Sequence, residues 1–313
     1  MKFETSRFVS ADGTELHYAI WSPETLPTMV LQVTHGMTEH ILRYEALARE
    51  LTTYGIVVAG FDLRGHGENP SPHKAATMGK DGWENTLEDM HQFRWLLSKR
   101  FSGLPHYMMG FSLGAFLLRE YLSRNEAPNG AILIGTGTQP AFLLSMLMKL
   151  VRKEADKYGF DNTTDLIWNL SFGTYNRKFK PNYSNYDWLC SDQAQLSAYR
   201  RDRFCKPTIS AGLLYDLLAS MKRTGGAHAY DHWYKKMPIL IISGQDDPVG
   251  NMGAGVKRLL RDMGKAGMTD VRMHLLPNAR HDVLHEEVTG AAREARDIIW
   301  RWIMNTNERK SKT

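Results

Sequence analysis

Gly110-Phe111-Ser112-Leu113-Gly114 joins a short apolar run to a segment of helical composition. Residues 107–109 suit an inner strand, and residues 113–121 have the apolar spacing of a helix. A serine in such a strand-to-helix turn projects its hydroxyl outward at the carboxyl end of the strand. Gly110 and Gly114 are expected there because a side chain at either position would collide with backbone. The pattern predicts a nucleophile elbow with Ser112 at its tip and the Leu113 backbone N–H at a helix N-terminus.

Apolar strands and helices alternate along the rest of the chain. Inner strands are predicted at 29–34, 55–62, 130–135, 239–244 and 271–276. A half-buried strand at 14–21, preceded by the turn Asp12-Gly13, is expected to enter the sheet antiparallel. Helices are predicted from about residue 39 to 54 and from 81 to 101. This alternation predicts an α/β fold with a mostly parallel central sheet and helices on both faces.

The chain between residues 135 and 238 has a different character. About a hundred residues lie there, whereas a usual βα connection has ~2–6. We predict an α/β core formed by residues 1–137 and 236–313, with residues 138–235 as an inserted, largely helical cap. The cap begins with an apolar helix near 142–151, in which Met146, Leu147 and Leu150 are candidate contacts for a flexible substrate chain. The alternative is that these side chains form the core of the cap itself.

Composition narrows the class of protein. The 313 residues carry a net charge of +5, spread along the chain apart from a short cluster at 308–312, which is typical of solvated surface and not of a nucleic-acid partner. Two cysteines, Cys190 and Cys205, imply no disulfide framework and favour a reducing cytoplasm. Residues 1–7 lack the apolar core of a signal peptide, and no apolar run reaches the ~18 residues of a membrane span. We therefore expect a soluble, cytoplasmic protein without stable membrane insertion.

A nucleophilic serine needs a base to accept its proton and an acid to orient that base. The turn 243–250 offers Asp246 and Asp247, both after a predicted strand, and position alone does not separate these neighbours. The loop after the last strand offers His281, with His285 one helical turn later as the alternative base. The order serine, acid, histidine, each on a loop after a strand, favours catalysis over chance.

Taken together, these motifs resemble the α/β-hydrolases of the monoacylglycerol lipase, lysophospholipase and serine aminopeptidase type. The resemblance covers nearly the whole chain and rests on five stretches: 35–40 (His-Gly-Met-Thr-Glu-His), 62–67 (Asp-Leu-Arg-Gly-His-Gly), 110–114, 244–247 (Gly-Gln-Asp-Asp) and 279–281 (Ala-Arg-His). It implies that Asp247 is the acid and His281 the base. It also implies that the backbone N–H groups of Met37 and Leu113 form the oxyanion hole.

Other polar residues of these motifs have structural interpretations as well. Glu39 could contact a polar head group, or it could lie exposed at a helix start. His35 and His66 are expected to orient loops beside the site. The scattered histidines and cysteines lack metal-ligand spacing, and no glycine-rich phosphate loop follows the first strand, so neither metal nor nucleotide cofactor is expected.

The predicted function is hydrolysis of carboxylic esters through Ser112, Asp247, His281 and an acyl-enzyme, with a small acyl ester or lipid as substrate. A serine peptidase or amidase would use the same residues, and a non-catalytic binding protein can share the fold. The apolar helix at 142–151 favours esters over peptides. An epoxide hydrolase or dehalogenase would need an aspartate at position 112. Acyl-chain length, head group and oligomeric state are not indicated by the sequence.

Overall fold

The computed structural model describes residues 1–69, 75–206 and 208–311. Outside the described residues lie parts of three sequence-based predictions: residues 70–74 and 312–313 of the predicted core, residue 207 of the predicted cap, and the last residue of the 308–312 cluster.

A single sheet organises the described residues. Its strands are β1 (Lys2–Val9), β2 (Glu15–Ser22), β3 (Met29–Thr34), β4 (Ile56–Phe61), β5 (His106–Phe111), β6 (Gly130–Ile134), β7 (Ile239–Gly244) and β8 (Val271–Leu276). Across residues 1–69, 75–206 and 208–311 these eight strands have the spatial order β1-β2-β4-β3-β5-β6-β7-β8. Strand β2 pairs antiparallel with β1 and β4, and every pair from β4 to β8 is parallel. The predicted mostly parallel sheet with an antiparallel entry is therefore confirmed.

Helices cover both faces of the sheet. They are α1 (Glu45–Thr52), α2 (Gly82–Arg100), α3 (Leu113–Leu122), α4 (Ala141–Tyr158), α5 (Asp165–Trp168), α6 (Gln193–Arg201), α7 (Ala211–Arg223), α8 (Ala254–Lys265) and α9 (Ala291–Ser311). One apolar cluster joins the sheet to α2, α3 and α8 through residues such as Phe93, Leu117 and Leu259. A second joins the opposite face to α1 and α9 through Leu47 and Ile299. Each buried aliphatic or aromatic side chain contributes about 1.5–3 kcal/mol, so the two clusters hold the layers together.

The helices α4 to α7 all lie in the long connection between β6 and β7. Helix α4 packs against α7. Their apolar side chains, together with Ile167, Phe172 and Trp188, belong to the same apolar cluster as α3. The connection therefore packs directly onto the carboxyl edge of the sheet, which is the side where β5 ends at Phe111.

Three elements differ from the sequence-based prediction. Strand β8, predicted as an inner strand, is an edge strand of the sheet with alternating burial. Strand β1 is missing from the prediction, because this edge strand is exposed along most of its length and carries little apolar signal. The helix expected from residue 39 begins only at Glu45, after a 3₁₀ turn at Ile41–Tyr44. Side chains hold the backbone before that turn: Glu39 accepts from the Gly36 N–H at 2.6 Å, and Asp62 accepts from the Ile41 N–H at 2.8 Å.

None of the helices in residues 1–69, 75–206 and 208–311 is both long enough and apolar enough to cross a bilayer.

Candidate active site

Ser112 lies at the junction between β5 and α3 in a strained backbone conformation, with φ 49° and ψ −114°. A Cβ added at Gly110 would lie 2.3 Å from the Gly114 carbonyl oxygen, and one added at Gly114 would lie 2.1 Å from the Thr34 carbonyl oxygen. Only glycine fits at these contacts, because real Cβ atoms do not approach backbone so closely. The Ser112 N–H donates to the Ile134 carbonyl at 2.9 Å, which fixes the turn against β6.

Ser112, His281 and Asp247 form a continuous chain of hydrogen bonds. His281 Nδ1 lies 2.9 Å from Asp247 Oδ1, and His281 Nε2 lies 2.9 Å from Ser112 Oγ. A carboxylate only accepts, so Nδ1 donates to Asp247 and Nε2 remains free to accept from the Ser112 hydroxyl. All three residues are buried. The geometry suits removal of the hydroxyl proton by the imidazole.

The alternative acid and base lie elsewhere. Asp246 Oδ1 accepts from Lys178 Nζ at 2.6 Å on the surface. His285 contacts Asp282 and the Arg43 carbonyl instead of Ser112. The structure therefore brings Asp247 and His281 to Ser112 and leaves their neighbours outside this chain of hydrogen bonds.

The His281 ring is enclosed by two aromatic rings. Phe111 lies 5.0 Å away between centroids and Trp188, from the connection between β6 and β7, lies 5.2 Å away. The same connection accepts backbone hydrogen bonds: the His281 N–H donates to the Trp188 carbonyl at 3.4 Å, and the Asp282 N–H to the Leu189 carbonyl at 2.7 Å. These contacts restrict the imidazole and exclude water from its faces.

The two predicted oxyanion donors lie on opposite sides of Ser112 in the chain. Leu113 is the first residue of α3, so its N–H has no partner one turn earlier in the helix. Met37 borders the cavity that reaches Ser112. It is held between Gly36, whose N–H binds Glu39, and Thr38, which has a left-handed φ of 64°.

Glu39 is buried, so the interpretation that it lies exposed at a helix start is wrong, whereas its contact with a head group stays a prediction. Its Oε1 accepts from the Gly36 N–H and from the Tyr44 hydroxyl at 2.8 Å, and its Oε2 accepts from Arg43 Nε at 2.9 Å. These partners occupy the carboxylate because the chain folds back on it within five residues. Glu39 therefore fixes the loop that carries Met37.

Arg43 links this loop to the loop of the histidine. Its Nη2 donates to Asp282 Oδ2 at 2.8 Å while Nε binds Glu39. Burial alone would lower the pKa of Arg43, but the Asp282 and Glu39 carboxylates raise it above its ordinary value. Burial would raise the pKa of Asp282, but His285 and Arg43 hold it below its ordinary value. The sequence analysis missed Arg43 and Asp282, although Arg43 stands one helical turn after Glu39.

An apolar cavity of about 250 Å³ extends from Ser112 toward α4 and α7. Its apolar lining comes mainly from the connection between β6 and β7: Leu143, Leu144, Leu147, Leu170, Phe172, Leu214, Leu217, Leu218 and Met221. Of the three predicted substrate contacts, Leu147 lines this cavity. Met146 and Leu150 do not, being 52% and 44% exposed. The cavity lining therefore supports Leu147 among the three, and substrate contact by Met146 and Leu150 stays a prediction.

Buried histidines beside the site are held neutral. Burial lowers the pKa of His35 to about 4 and that of His66 to about 3. His35 Nδ1 bonds the Gly36 carbonyl at 2.7 Å, and Nε2 accepts from the Leu63 N–H at 2.9 Å. His66 Nδ1 bonds the Arg64 carbonyl at 2.9 Å. The His35 ring therefore connects the loops after β3 and β4, as expected from the sequence, whereas the His66 hydrogen bond stays within its own loop.

One group of possible metal ligands appears only in three dimensions. His40, Asp202 and Cys205 each offer a ligand atom, and these atoms all lie within 4.8 Å of one another. Linear spacing could not reveal the group because His40 and Asp202 are 162 positions apart.

The sheet order, the surrounding helices and the strand–serine–helix turn at the carboxyl edge define an α/β-hydrolase. Residues 26–288 match the family of serine aminopeptidases, S33, and the chain belongs to this family. It is an α/β-hydrolase of the monoglyceride lipase type, as its relatives indicate.

Three similar proteins illustrate the relationship. A monoacylglycerol lipase of Mycolicibacterium smegmatis is 22% identical over 290 residues, which are 89% of this chain and 90% of that protein. Human monoglyceride lipase is 33% identical over 129 residues, 40% of this chain and 41% of that protein. A solved carboxyl esterase of Bacillus coagulans, in complex with glycerol, superposes with a TM-score of 0.85 at 26% identity, covering 98% of this chain and 99% of that one. Several other relatives are matched over less than half of their length, down to 24%.

Proposed function

We propose that this hydrolase cleaves carboxylic esters, with Ser112 as nucleophile, His281 as general base and Asp247 as the orienting acid. The observation that carries the proposal is the buried chain of hydrogen bonds, 2.9 Å at each contact of the His281 ring. Asp247 is itself oriented: it accepts from Ser243 Oγ at 3.1 Å and from the Val249 N–H at 2.8 Å. A base fixed in one tautomer can accept the serine proton without rearranging.

The proposed reaction proceeds in two halves. Ser112 Oγ attacks the ester carbonyl carbon as its proton passes to His281 Nε2, and the negative charge develops on the carbonyl oxygen. The backbone N–H groups of Met37 and Leu113 stabilise that charge, aided by the N-terminus of α3. The C–O bond to the alcohol breaks, the alcohol leaves with the proton from His281, and an acyl-Ser112 ester remains. Water then loses a proton to His281 and attacks the acyl carbon. His281 returns that proton to Ser112 Oγ as the acyl C–O bond breaks, which releases the acid and regenerates the serine.

The apolar cavity supports an acyl ester or lipid as substrate. Apolar side chains such as Leu147 and Leu217 line it together with Ser112, so an acyl chain bound there would bring its carbonyl to the nucleophile. Ligand pockets usually have ~300–1,000 Å³, so a cavity of about 250 Å³ favours a single acyl chain of modest length. The relatives named as monoglyceride lipases and as a carboxyl esterase support the same substrate class.

We also propose that residues 138–235 act as a cap domain on a core of residues 1–137 and 236–313. The apolar wall of the cavity comes mostly from α4 and α7, while Met37 and Ser112 come from the core. In this proposal the core supplies the chemistry and the cap selects the acyl chain.

A peptidase is the alternative in this family, since cleavage of an N-terminal residue needs a carboxylate to bind the peptide amine. The two carboxylates that border Ser112, Glu39 and Asp282, are both paired with Arg43. An amine would have to displace a guanidinium from either of them. The paired carboxylates therefore favour esters.

A reducing, cytoplasmic location fits this proposal. Cys190 and Cys205 are both free thiols, which is usual for proteins of that compartment.

The decisive experiment is intact-mass analysis after treatment with a fluorophosphonate probe, with Ser112→Ala beside the parent protein. One adduct on the parent and none on the variant is expected. Hydrolysis of a monoacylglycerol, a short p-nitrophenyl ester and an aminoacyl arylamide then separates esterase from peptidase. Ser123→Ala, an exchange of a serine at the far end of α3, serves as the matched control and should label like the parent. No adduct on folded parent protein would reject the proposal.

A further inference from the structure

A second, much smaller cavity lies beside Ser112, in addition to the apolar one. Its volume is about 20 Å³, and both Ser112 and His281 border it. A cavity needs about 10–15 Å³ to hold one water molecule, so the small cavity has room for a single water but not for an acyl chain. A water held there would lie next to the base that has to activate it.

Two hydroxyl groups from distant parts of the chain border this small cavity: Thr38 on the loop after β3 and Tyr199 on α6. The Thr38 hydroxyl donates to the Met37 carbonyl at 2.5 Å. The Tyr199 proton then has two acceptors, both on Thr38: Oγ1 at 2.7 Å and the carbonyl oxygen at 3.3 Å. Because a phenolic oxygen can accept as well as donate, Tyr199 Oη keeps a lone pair for a further O–H donor.

The Tyr199 side chain is held in place and stays protonated. The residue is 7% exposed, and the Arg43 guanidinium lies over its ring, 5.0 Å from the centroid. Burial raises the pKa of the Tyr199 hydroxyl well above its ordinary value. The hydroxyl therefore keeps its own proton for Thr38, and toward the small cavity it can act as a hydrogen-bond acceptor.

The carboxylates of Glu39 and Asp282 border the same cavity, but both are already occupied. Each of their oxygens accepts a hydrogen bond from another residue, and both carboxylates bind Arg43. An additional hydrogen bond to either carboxylate would compete with these partners. A hydrogen bond to the Tyr199 oxygen displaces no partner, so Tyr199 is the better acceptor for a water in this position.

From this arrangement we propose that Tyr199 positions the water that hydrolyses the acyl-enzyme. This role rests on the proposed function, because it requires an acyl-Ser112 intermediate. Once the alcohol has left, the neutral His281 Nε2 accepts from one O–H of the water, and Tyr199 Oη accepts from the other. With both of its protons engaged, the water turns a lone pair of its oxygen toward the acyl carbon.

Only one proton of the water moves in this step. The O–H bond that faces His281 breaks, its proton passes to Nε2, and the oxygen forms the new bond to the acyl carbon. The proton that is hydrogen-bonded to Tyr199 stays on the oxygen and leaves as the hydroxyl of the carboxylic acid. Tyr199 is therefore a positioning residue, and it acts in the second half of the reaction alone.

The test compares water with methanol as the nucleophile, because methanol has one O–H and cannot donate to His281 and Tyr199 at the same time. The full chain and Tyr199→Phe are given a p-nitrophenyl ester in aqueous methanol, and the ratio of methyl ester to free acid is measured. Tyr199→Phe should raise this ratio about fivefold, the loss expected for one hydrogen bond to the water. The burst of p-nitrophenolate should keep the parent's rate, and acyl-Ser112 should accumulate in intact-mass spectra.

Tyr186→Phe is the matched control, since it removes the same hydroxyl from the neighbouring ring, 5.6 Å from that of Tyr199 between centroids, and should keep the parent's ratio. A loosened oxyanion loop would slow methanol and water alike, so the ratio separates positioning of the water from a structural role. If Tyr199→Phe keeps the parent's ratio, this role of Tyr199 is overturned while hydrolysis through Ser112 stands. If the parent forms neither acyl-Ser112 nor free acid, both proposals are overturned.

Discussion

Asp246 and Asp247 are adjacent in the chain, yet their carboxylates bind different partners on different sides of the turn. Asp247 is buried and lies 2.9 Å from His281 Nδ1, whereas Asp246 is partly exposed and lies 2.6 Å from Lys178 Nζ. The pair therefore provides two chemically identical substitutions, one at the site and one beside it.

Asp247→Asn is expected to lower kcat by about 10⁴-fold, because the amide would favour the wrong tautomer of His281. Asp246→Asn should keep kcat within about twofold, since a surface ion pair contributes only about 0–1 kcal/mol. Steady-state hydrolysis of a p-nitrophenyl ester by both variants measures the difference. Equal losses in the two variants would contradict the role proposed for Asp247.

Glu39→Gln is expected to destabilise the protein by about 3 kcal/mol, because removing one partner of a buried ion pair leaves Arg43 undercompensated. The loop that carries Met37 should loosen as well. We expect kcat to fall roughly tenfold, because the activation free energy should rise by about the energy of one charge-assisted hydrogen bond. Urea unfolding and kcat are measured on the same preparation. Glu45→Gln is the control: its pair with Arg49 is exposed, so its unfolding midpoint should not change. If both variants unfold at the parent's midpoint, the buried network does not stabilise the fold.

Leu147→Trp should shorten the acceptable acyl chain, because Leu147 lines the cavity and a larger ring would fill part of it. We expect kcat/KM for a long-chain ester to fall by about tenfold relative to a two-carbon ester, in line with ~1–3 kcal/mol per displaced methylene contact. Met146→Trp adds the same ring one position earlier, on the exposed face of α4, and should leave the ratio unchanged. The same shift in both variants would show that α4 does not select the acyl chain.

His106 should make the stability of the fold depend on pH. Burial lowers its pKa to about 3, and in the unfolded chain the pKa is ~6.5. As the pH falls below ~6.5, the unfolded state binds a proton that the folded state refuses, so stability is full above that pH and declines toward pH 3. His106→Leu has no imidazole to protonate. Between pH 8 and pH 5 its free energy of unfolding should therefore fall by about 2 kcal/mol less than that of the parent. Chemical unfolding at the two pH values gives this difference; His228→Leu, at an exposed position, should behave like the parent.

The inner part of the fold follows from the sequence because buried parallel strands are apolar along their whole length. All residues of β3, β4, β5, β6 and β7 are buried, and each of these strands was predicted. Strand β1 was not, since backbone pairing with β2 rather than side-chain burial holds it in the sheet. The elbow was predictable for a different reason. A side chain at either of its glycines would collide with backbone in the same turn or in β3, so the sequence must have glycine there.

The surroundings of the elbow could not be predicted because they depend on contacts between distant segments. The periodicity of α4 shows that it has two faces, but not which face lies toward the sheet. The sequence therefore could not separate Met146 from Leu147 as candidate substrate contacts. Likewise, Arg43 meets Asp282 across 239 positions, and no local pattern indicates such a contact. Chain order selected the region of the acid and the base, and the family resemblance implied Asp247 over Asp246, whereas their different environments appear only in the structure.

The hydrogen bonds from the His281 and Asp282 backbone to Trp188 and Leu189 have a consequence for exchanging segments between relatives. A graft that replaced all of residues 138–235 would also replace the two carbonyls that receive these bonds. Substrate range and proton transfer would then change together, even though the grafted segment contains none of Ser112, Asp247 and His281. A chimera could instead retain residues 187–192 of the recipient and exchange only α4 and α7. It would keep the backbone hydrogen bonds that hold the histidine loop while altering the wall of the cavity.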